Sequence, residues 1–380
     1  MANPLRELEA VGQSVWYDGF ARGLVASGAL ARFIADDGLR GLTTNPAIYE
    51  KSILETRDYD AALARLLPRS DLDAQDVYEE LAIEDIRAAA DLLRPVYDRA
   101  SRRDGYVSLE VSPVAARDEA ASFAEARRLW RAVGRENAMI KVPGTREGIP
   151  AIRGLLAEGV NVNVTLLFSR VAYRVVAEAH VAALEDRLGR GEDVSRIASV
   201  ASFFVSRIDA AVDRRLDAIA AGGAPEETRR RALALRGRIA VANAKLAYQD
   251  WRALVATPRW QRVRAAGAMP QRLLWASTST KDPRYRDVMY VEALIGPETV
   301  DTLPPATFDA FRDHGRVAAT LEDGLDEARA AVTELASLGV SLDEVTAQLL
   351  EDGVRLFAEP FARLLATIDA RRGAEPGAHA

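Results

Sequence analysis

The chain has 380 residues, is 49% hydrophobic and 28% charged, and carries a formal net charge of −6. It can bury a large core, and its acids and arginines are mixed throughout, which argues against nucleic acid or an anionic membrane as a partner. There is no cysteine, and the three histidines, His180, His314 and His379, lie far apart, so a disulfide frame, a thiol nucleophile and a thiolate metal site are excluded and a histidine triad or metal cluster is not expected.

Eight short apolar runs recur along the chain: Ser14–Asp18, Leu39–Thr44, Gly105–Val111, Ala138–Val142, Val160–Phe168, Ser199–Val205, Arg272–Thr278 and Thr299–Pro304. Polar turns and amphipathic stretches separate them. Strands alternating with helices argue for a parallel sheet, and eight such units in one chain favour a closed (β/α)8 TIM barrel with additional helices. Residues 1–370 read as a single barrel domain. Two connections, near 47–104 and 206–271, are too long for one barrel helix and read as helical insertions. In the first, Val77, Leu81, Ala82, Ile86, Ala89, Leu93 and Val96 follow the three- and four-residue steps of one helix face. Asp323–Leu338 is a further helix, stopped by Gly339, and Ser341 with Glu344 can cap the next. That last helix, through about Ala370, carries Val345, Leu349, Leu356, Phe361, Leu364 and Ile368, so one side of it must pack on something. The tail 371–380 is rich in Gly, Pro and Ala and reads as disordered. No apolar run reaches membrane-spanning length, and Met1–Glu7 has no apolar leader core, so a cytoplasmic protein is expected.

The fourth run holds Ala138-Met139-Ile140-Lys141-Val142. A lysine is out of place in a buried strand. Burial disfavours its charged form, and a neutral amine can attack a carbonyl to form a Schiff base. Composition sharpens the point: only Lys51, Lys141, Lys245 and Lys281 are lysine, and the other 46 of the 50 basic residues are arginine. Arginine cannot form an imine.

In such barrels the chemistry lies at the C-terminal strand ends. The first run ends in Asp18, and the second in Thr43-Thr44-Asn45-Pro46. The third carries Glu110 and the fourth Lys141. Asn163 and Thr165 share one face of the fifth, because strand side chains alternate. Ser202 lies in the sixth, with Arg207 just beyond. Ser277 ends the seventh, with Lys281 four residues on. Each has a structural explanation when taken alone: Asp18 as a helix cap, Asn45-Pro46 as a turn, Glu110 as an arginine partner, Asn163 and Thr165 as interior hydrogen-bonding groups. Together they set two acids and an amine at three strand ends, ringed by amides and hydroxyls. Such a set can form an imine, make or break a C–C bond and hold a sugar phosphate. The serine, arginine and lysine past the sixth and seventh runs suit the phosphate.

Six stretches resemble the transaldolases of the pentose phosphate pathway, in particular their longer bacterial type. They are Leu42-Thr43-Thr44-Asn45-Pro46, Ser108-Leu109-Glu110-Val111, Ile140-Lys141-Val142-Pro143, Asn163-Val164-Thr165-Leu166-Leu167-Phe168-Ser169, Ser202-Phe203-Phe204-Val205-Ser206-Arg207 and Trp275-Ala276-Ser277-Thr278, in the family's order over most of the chain. The resemblance implies that Lys141 forms the Schiff base, that Asp18 takes and returns the hydroxyl proton in C–C cleavage, and that Glu110 moves protons through a water. It implies that Thr43, Asn45, Asn163, Thr165 and Ser202 surround that water and the substrate hydroxyls, and that Arg207 binds phosphate. Shorter members carry a second phosphate arginine after the seventh strand; here Ser277-Thr278-Ser279-Thr280-Lys281 stands there. No metal or cofactor is implied. The expected partners are sugar phosphates, acted on by a monomer or homodimer. A Schiff-base aldolase acting on a related sugar phosphate, and a non-catalytic sugar-phosphate-binding barrel, are the alternatives.

Overall fold

Eight parallel strands close into a barrel in the order β1 to β8, with β8 returning to β1. They are β1 (Gln13–Asp18), β2 (Gly41–Thr43), β3 (Tyr106–Glu110), β4 (Ala138–Pro143), β5 (Val162–Leu167), β6 (Ser199–Phe204), β7 (Arg272–Ala276) and β8 (Thr299–Leu303) in a computed structural model that describes residues 3–373. Each lies within or against one of the eight apolar runs. Their side chains are almost all buried, because a parallel barrel is covered by helices outside and filled by side chains inside.

The connection from β2 to β3 holds helices Pro46–Glu55, Asp60–Leu66 and Ala74–Arg99. The one from β6 to β7 holds Ser206–Ala221, Glu226–Leu235, Ile239–Val255 and Pro258–Ala265. Ala74–Arg99 starts at a reciprocal cap between Asp73 and Asp76, and it buries Val77, Leu81, Ala82, Ile86, Ala89, Leu93 and Val96. The floor of the barrel is plugged by an ion pair: Asp104 accepts from Arg272 Nη2 at 2.9 Å, from Ser14 Oγ at 2.6 Å and from Trp16 Nε1 at 3.3 Å. The open end is therefore the C-terminal one.

The last helix runs from Leu342 to Gly373, past Ala370, so 371–373 are helical; the rest of the expected tail, 374–380, lies outside the described residues. Glu344 N donates to Ser341 Oγ at 3.2 Å at its start. Its packing stripe differs from the sequence expectation at one position. Leu356 is 45% exposed, whereas Phe357 is 8% exposed. Phe357 lies on the four-residue step from Gly353 to Phe361, which faces the barrel. This helix packs against the end of β5, the short helix Pro113–Arg117 after β3, and helices Pro46–Glu55, Ala74–Arg99 and Ser206–Ala221. It therefore crosses the C-terminal mouth. No helix among the described residues is long and apolar enough to cross a membrane.

Candidate active site

Strand register alone brings the central groups together. Glu110 pairs with Lys141 between β3 and β4, and Lys141 with Asn163 between β4 and β5. Asp18 pairs with Thr43 between β1 and β2. Register partners on parallel strands point to the same face, here the barrel interior.

Lys141 is 6% exposed. Its Nζ donates to the Thr44 carbonyl at 2.8 Å and to Glu110 Oε2 at 3.1 Å. Glu110 thus serves no arginine. Burial pushes its pKa above the ordinary glutamate value, and the Lys141 charge and hydrogen bond oppose that rise. Its other oxygen, Oε1, is buried and has no partner among the described residues. Asp18 does not cap a helix; it accepts from Thr43 Oγ1 at 2.8 Å. Its pKa is also raised by burial, against the pull of the Lys141 charge, the Thr43 hydrogen bond and the Arg207 charge. Thr43 gives its single proton to Asp18, so across its 2.7 Å contact with Thr302 Oγ1 it is the acceptor and Thr302 donates.

Asn163 and Ser202 form a chain beside the amine. Ser202 Oγ donates to Asn163 Oδ1 at 2.6 Å, and Asn163 Nδ2 donates to Ser108 Oγ at 3.1 Å. Thr165 Oγ1 is buried without a partner among the described residues. The chain beyond it bulges away from β6, with Leu166 at φ 60°. Asn45 caps the helix Pro46–Glu55 by accepting from Ile48 N at 3.2 Å, so it is both a structural cap and part of the cavity wall.

Asp18, Thr43, Asn45, Lys141, Thr165, Ser202, Arg207, Ser277 and Lys281 line one cavity at the barrel mouth. Of the sequence-predicted residues, only Glu110 and Asn163 are not on that wall; both stand immediately behind it, in hydrogen-bond contact with Lys141 or Ser202. Arg207 and Lys281 bring positive charge to the far side. Neither has a carboxylate within ion-pair distance among the described residues. Arg207 stands over the Phe204 ring, 5.4 Å from its centroid, with Nη1 buried and unpartnered. Burial pushes Arg207 below its ordinary pKa. Desolvation and then the Arg207 charge do the same to Lys281, whose Nζ donates to Ser279 Oγ at 2.7 Å. Ser277 Oγ and Ser206 Oγ are 3.0 Å apart. Two unpaired cations flanked by hydroxyls make an electrostatic site for a dianion such as a phosphate. The other two lysines lie elsewhere: Lys51 is exposed on the helix Pro46–Glu55, and Lys245 donates to the carbonyls of Thr320 and Asp323.

Three parts of the site escaped the sequence reading. The Thr44 carbonyl is main chain, and no residue type signals it. Thr302 sits in an ordinary strand pattern. Phe357 comes from the last helix, and its ring centroid is 5.9 Å from Lys141 Nζ; the four-residue step through Gly353 and Phe361 was the signal that could have found it. Among the described residues no group of three or more His, Asp or Glu side chains could hold a metal ion.

Fold and cavity together define an eight-stranded α/β barrel with an amine–carboxylate centre at its C-terminal mouth, where enzymes of this architecture do their chemistry. The chain belongs to the transaldolase/fructose-6-phosphate aldolase family, whose model matches residues 15–368. A Nostoc protein described as Transaldolase 2 is 46% identical over 372 residues, covering 97% of each chain. A Thiobacillus denitrificans protein described as Transaldolase is 47% identical over 366 residues, covering 96% of this chain and 99% of its own. One from Thermobifida fusca with the same description is 46% identical over 366 residues, covering 96% and 97%.

Proposed function

We propose that this protein is a transaldolase that moves a dihydroxyacetone unit from sedoheptulose 7-phosphate to glyceraldehyde 3-phosphate, giving erythrose 4-phosphate and fructose 6-phosphate. The observation that carries the reading is Lys141 Nζ in contact with Glu110, in one cavity with Asp18 and two unpaired cations. Lys141 adds to the C2 ketone of the donor, and the carbinolamine so formed loses water. Glu110 takes and gives the protons that imine formation needs, through its unpartnered Oε1. The resulting iminium is an electron sink. Asp18 removes the proton from the C4 hydroxyl, the C3–C4 bond breaks, and its electron pair runs into the iminium to leave an enamine. The aldose phosphate departs. An incoming aldehyde then accepts the enamine carbon, Asp18 returns its proton to the new hydroxyl, and water adds to the product iminium so that its C–N bond breaks and Lys141 is freed. Thr43, held by Thr302, keeps the Asp18 carboxylate aimed. Thr165, Ser202 and Asn45 hold the sugar hydroxyls, with Asn163 behind Ser202 fixing its hydroxyl. Arg207, Lys281 and Ser277 hold the phosphate. The reading extends to a cytoplasmic enzyme working as a monomer or homodimer.

Product analysis with fructose 6-phosphate tests it. Little free dihydroxyacetone alone, and rapid sedoheptulose 7-phosphate formation with erythrose 4-phosphate present, are expected if the products of that reverse exchange are followed. Abundant free dihydroxyacetone in both cases would make the protein an aldolase instead.

Two further results are expected. Asp18 works as a carboxylate, and burial raises its pKa above 3.8. Turnover should therefore fall as pH drops through that raised value, with the acid limb of the kcat/KM profile above the ordinary aspartate value. A limb at or below 3.8 contradicts the assignment. Arg207→Ala should raise KM for phosphorylated substrates by roughly 10–100-fold, the size of one or two charge-assisted hydrogen bonds. It breaks no ion pair, so the fold should hold; an unchanged KM argues against phosphate at Arg207.

A further inference from the structure

The cavity wall has one member that does not come from a strand end or the turn beyond it. Every other lining residue lies within β1, β2, β4, β5, β6, β7 or β8 or in the segment just after one of them; Phe357 reaches in from the C-terminal helix. The helix is strapped down on both sides of it. Arg363 forks onto Glu50 at 2.6 and 3.0 Å, tying the helix to the segment after β2. Glu351 pairs with Arg117 of the short helix after β3. Phe361 packs edge-on against Tyr78, with centroids 5.2 Å apart. At Gly353 the helix lies so close to β5 that an added Cβ would come within 2.9 Å of the Leu166 side chain. These ties fix Phe357 over the Lys141 amine in a cavity whose other walls are mostly hydroxyl, amide and charge.

We infer that Phe357 shields the Lys141-bound enamine from water and so sets the balance between transfer and release of the three-carbon unit. The inference rests on the reading of Lys141 as the imine lysine. The two fates diverge at the enamine. In transfer, its carbon attacks the acceptor aldehyde, a C–C bond forms, the aldehyde oxygen takes the proton held by Asp18, and one water then hydrolyses the product iminium. In release, the same carbon takes a proton instead, water adds to the iminium carbon so formed, and the C–N bond breaks. Free dihydroxyacetone and the Lys141 amine result, and one water is consumed. An aromatic ring over the amine keeps water, the proton source for release, away from the enamine carbon, whereas the water that hydrolyses the iminium in both routes is served from the Glu110 side.

The test compares wild type, Phe357→Ala, Phe357→Val and Phe357→Leu in the full chain. Dihydroxyacetone release from fructose 6-phosphate alone is divided by transfer to erythrose 4-phosphate. The alanine variant should raise that ratio roughly tenfold, about 1.4 kcal/mol in relative barrier. The valine variant should raise it by less, and the leucine variant should stay near wild type. The valine variant keeps the test decisive if the alanine protein does not fold. Borohydride trapping with fructose 6-phosphate runs beside it. If wild type gives no Lys141 adduct, the imine reading itself fails. If all variants trap normally and release and transfer fall together with an unchanged ratio, Phe357 is only packing and the inference is overturned.

Discussion

Lys141→Arg should abolish turnover, by ~10⁴-fold or more, while leaving the fold intact. The choice of arginine matters. Lys141 is buried against Glu110 at 3.1 Å, and deleting one partner of a buried ion pair typically costs ~3–5 kcal/mol because the other charge is stranded. Alanine would thus confound lost chemistry with lost stability. Arginine keeps a positive charge and a donor for Glu110 and the Thr44 carbonyl, but its guanidinium does not deprotonate and is no nucleophile. Thermal unfolding should stay close to wild type, and the product assay should read background. Normal activity in this variant would end the imine account. A second arm separates the two rivals that share the site: an aldolase loses activity in the same variant, whereas a barrel that only binds sugar phosphates keeps its affinity.

Asp18→Asn should lower the rate of C–C cleavage by ~10²–10⁴-fold, the usual worth of a positioned proton-transfer group. Asparagine can still accept the Thr43 hydroxyl through Oδ1, so the local geometry persists. The imine forms before Asp18 acts, so the variant should still be trapped by borohydride on fructose 6-phosphate. It should accumulate the intact six-carbon adduct in place of the three-carbon one. Mass analysis of the trapped protein reads this directly. Turnover near wild type, or loss of trapping along with turnover, contradicts the division of labour between Asp18 and Lys141.

The barrel was legible because its strands are buried on both faces. A run such as Val160–Phe168 between turn signals encloses its strand, Val162–Leu167, and eight of them leave few other topologies. The centre of the site was legible for a related reason: a lysine in Ala138–Val142 or a glutamate at Glu110 violates the pattern around it, and such violations mark function. What register would do with them was not legible in any single run. Nothing in residues 106–110 alone says that Glu110 will stand beside Lys141; the closing of β3 on β4 decides that. The last helix shows the limit most clearly. Its amphipathic stripe required a partner, but periodicity does not name the partner or separate Leu356 from Phe357, one residue and about 100° of rotation apart. Only its crossing of the mouth, fixed by contacts to segments hundreds of residues away, turns Phe357 from a core residue into a wall of the cavity.

The reading stands or falls on where a covalent bond forms. Borohydride reduction in the presence of fructose 6-phosphate, followed by proteolysis and peptide mapping, locates it. The account predicts a single modified lysine, Lys141, and none in the Lys141→Arg protein. A modification at Lys281, Lys51 or Lys245, or no modification in an active preparation, contradicts it.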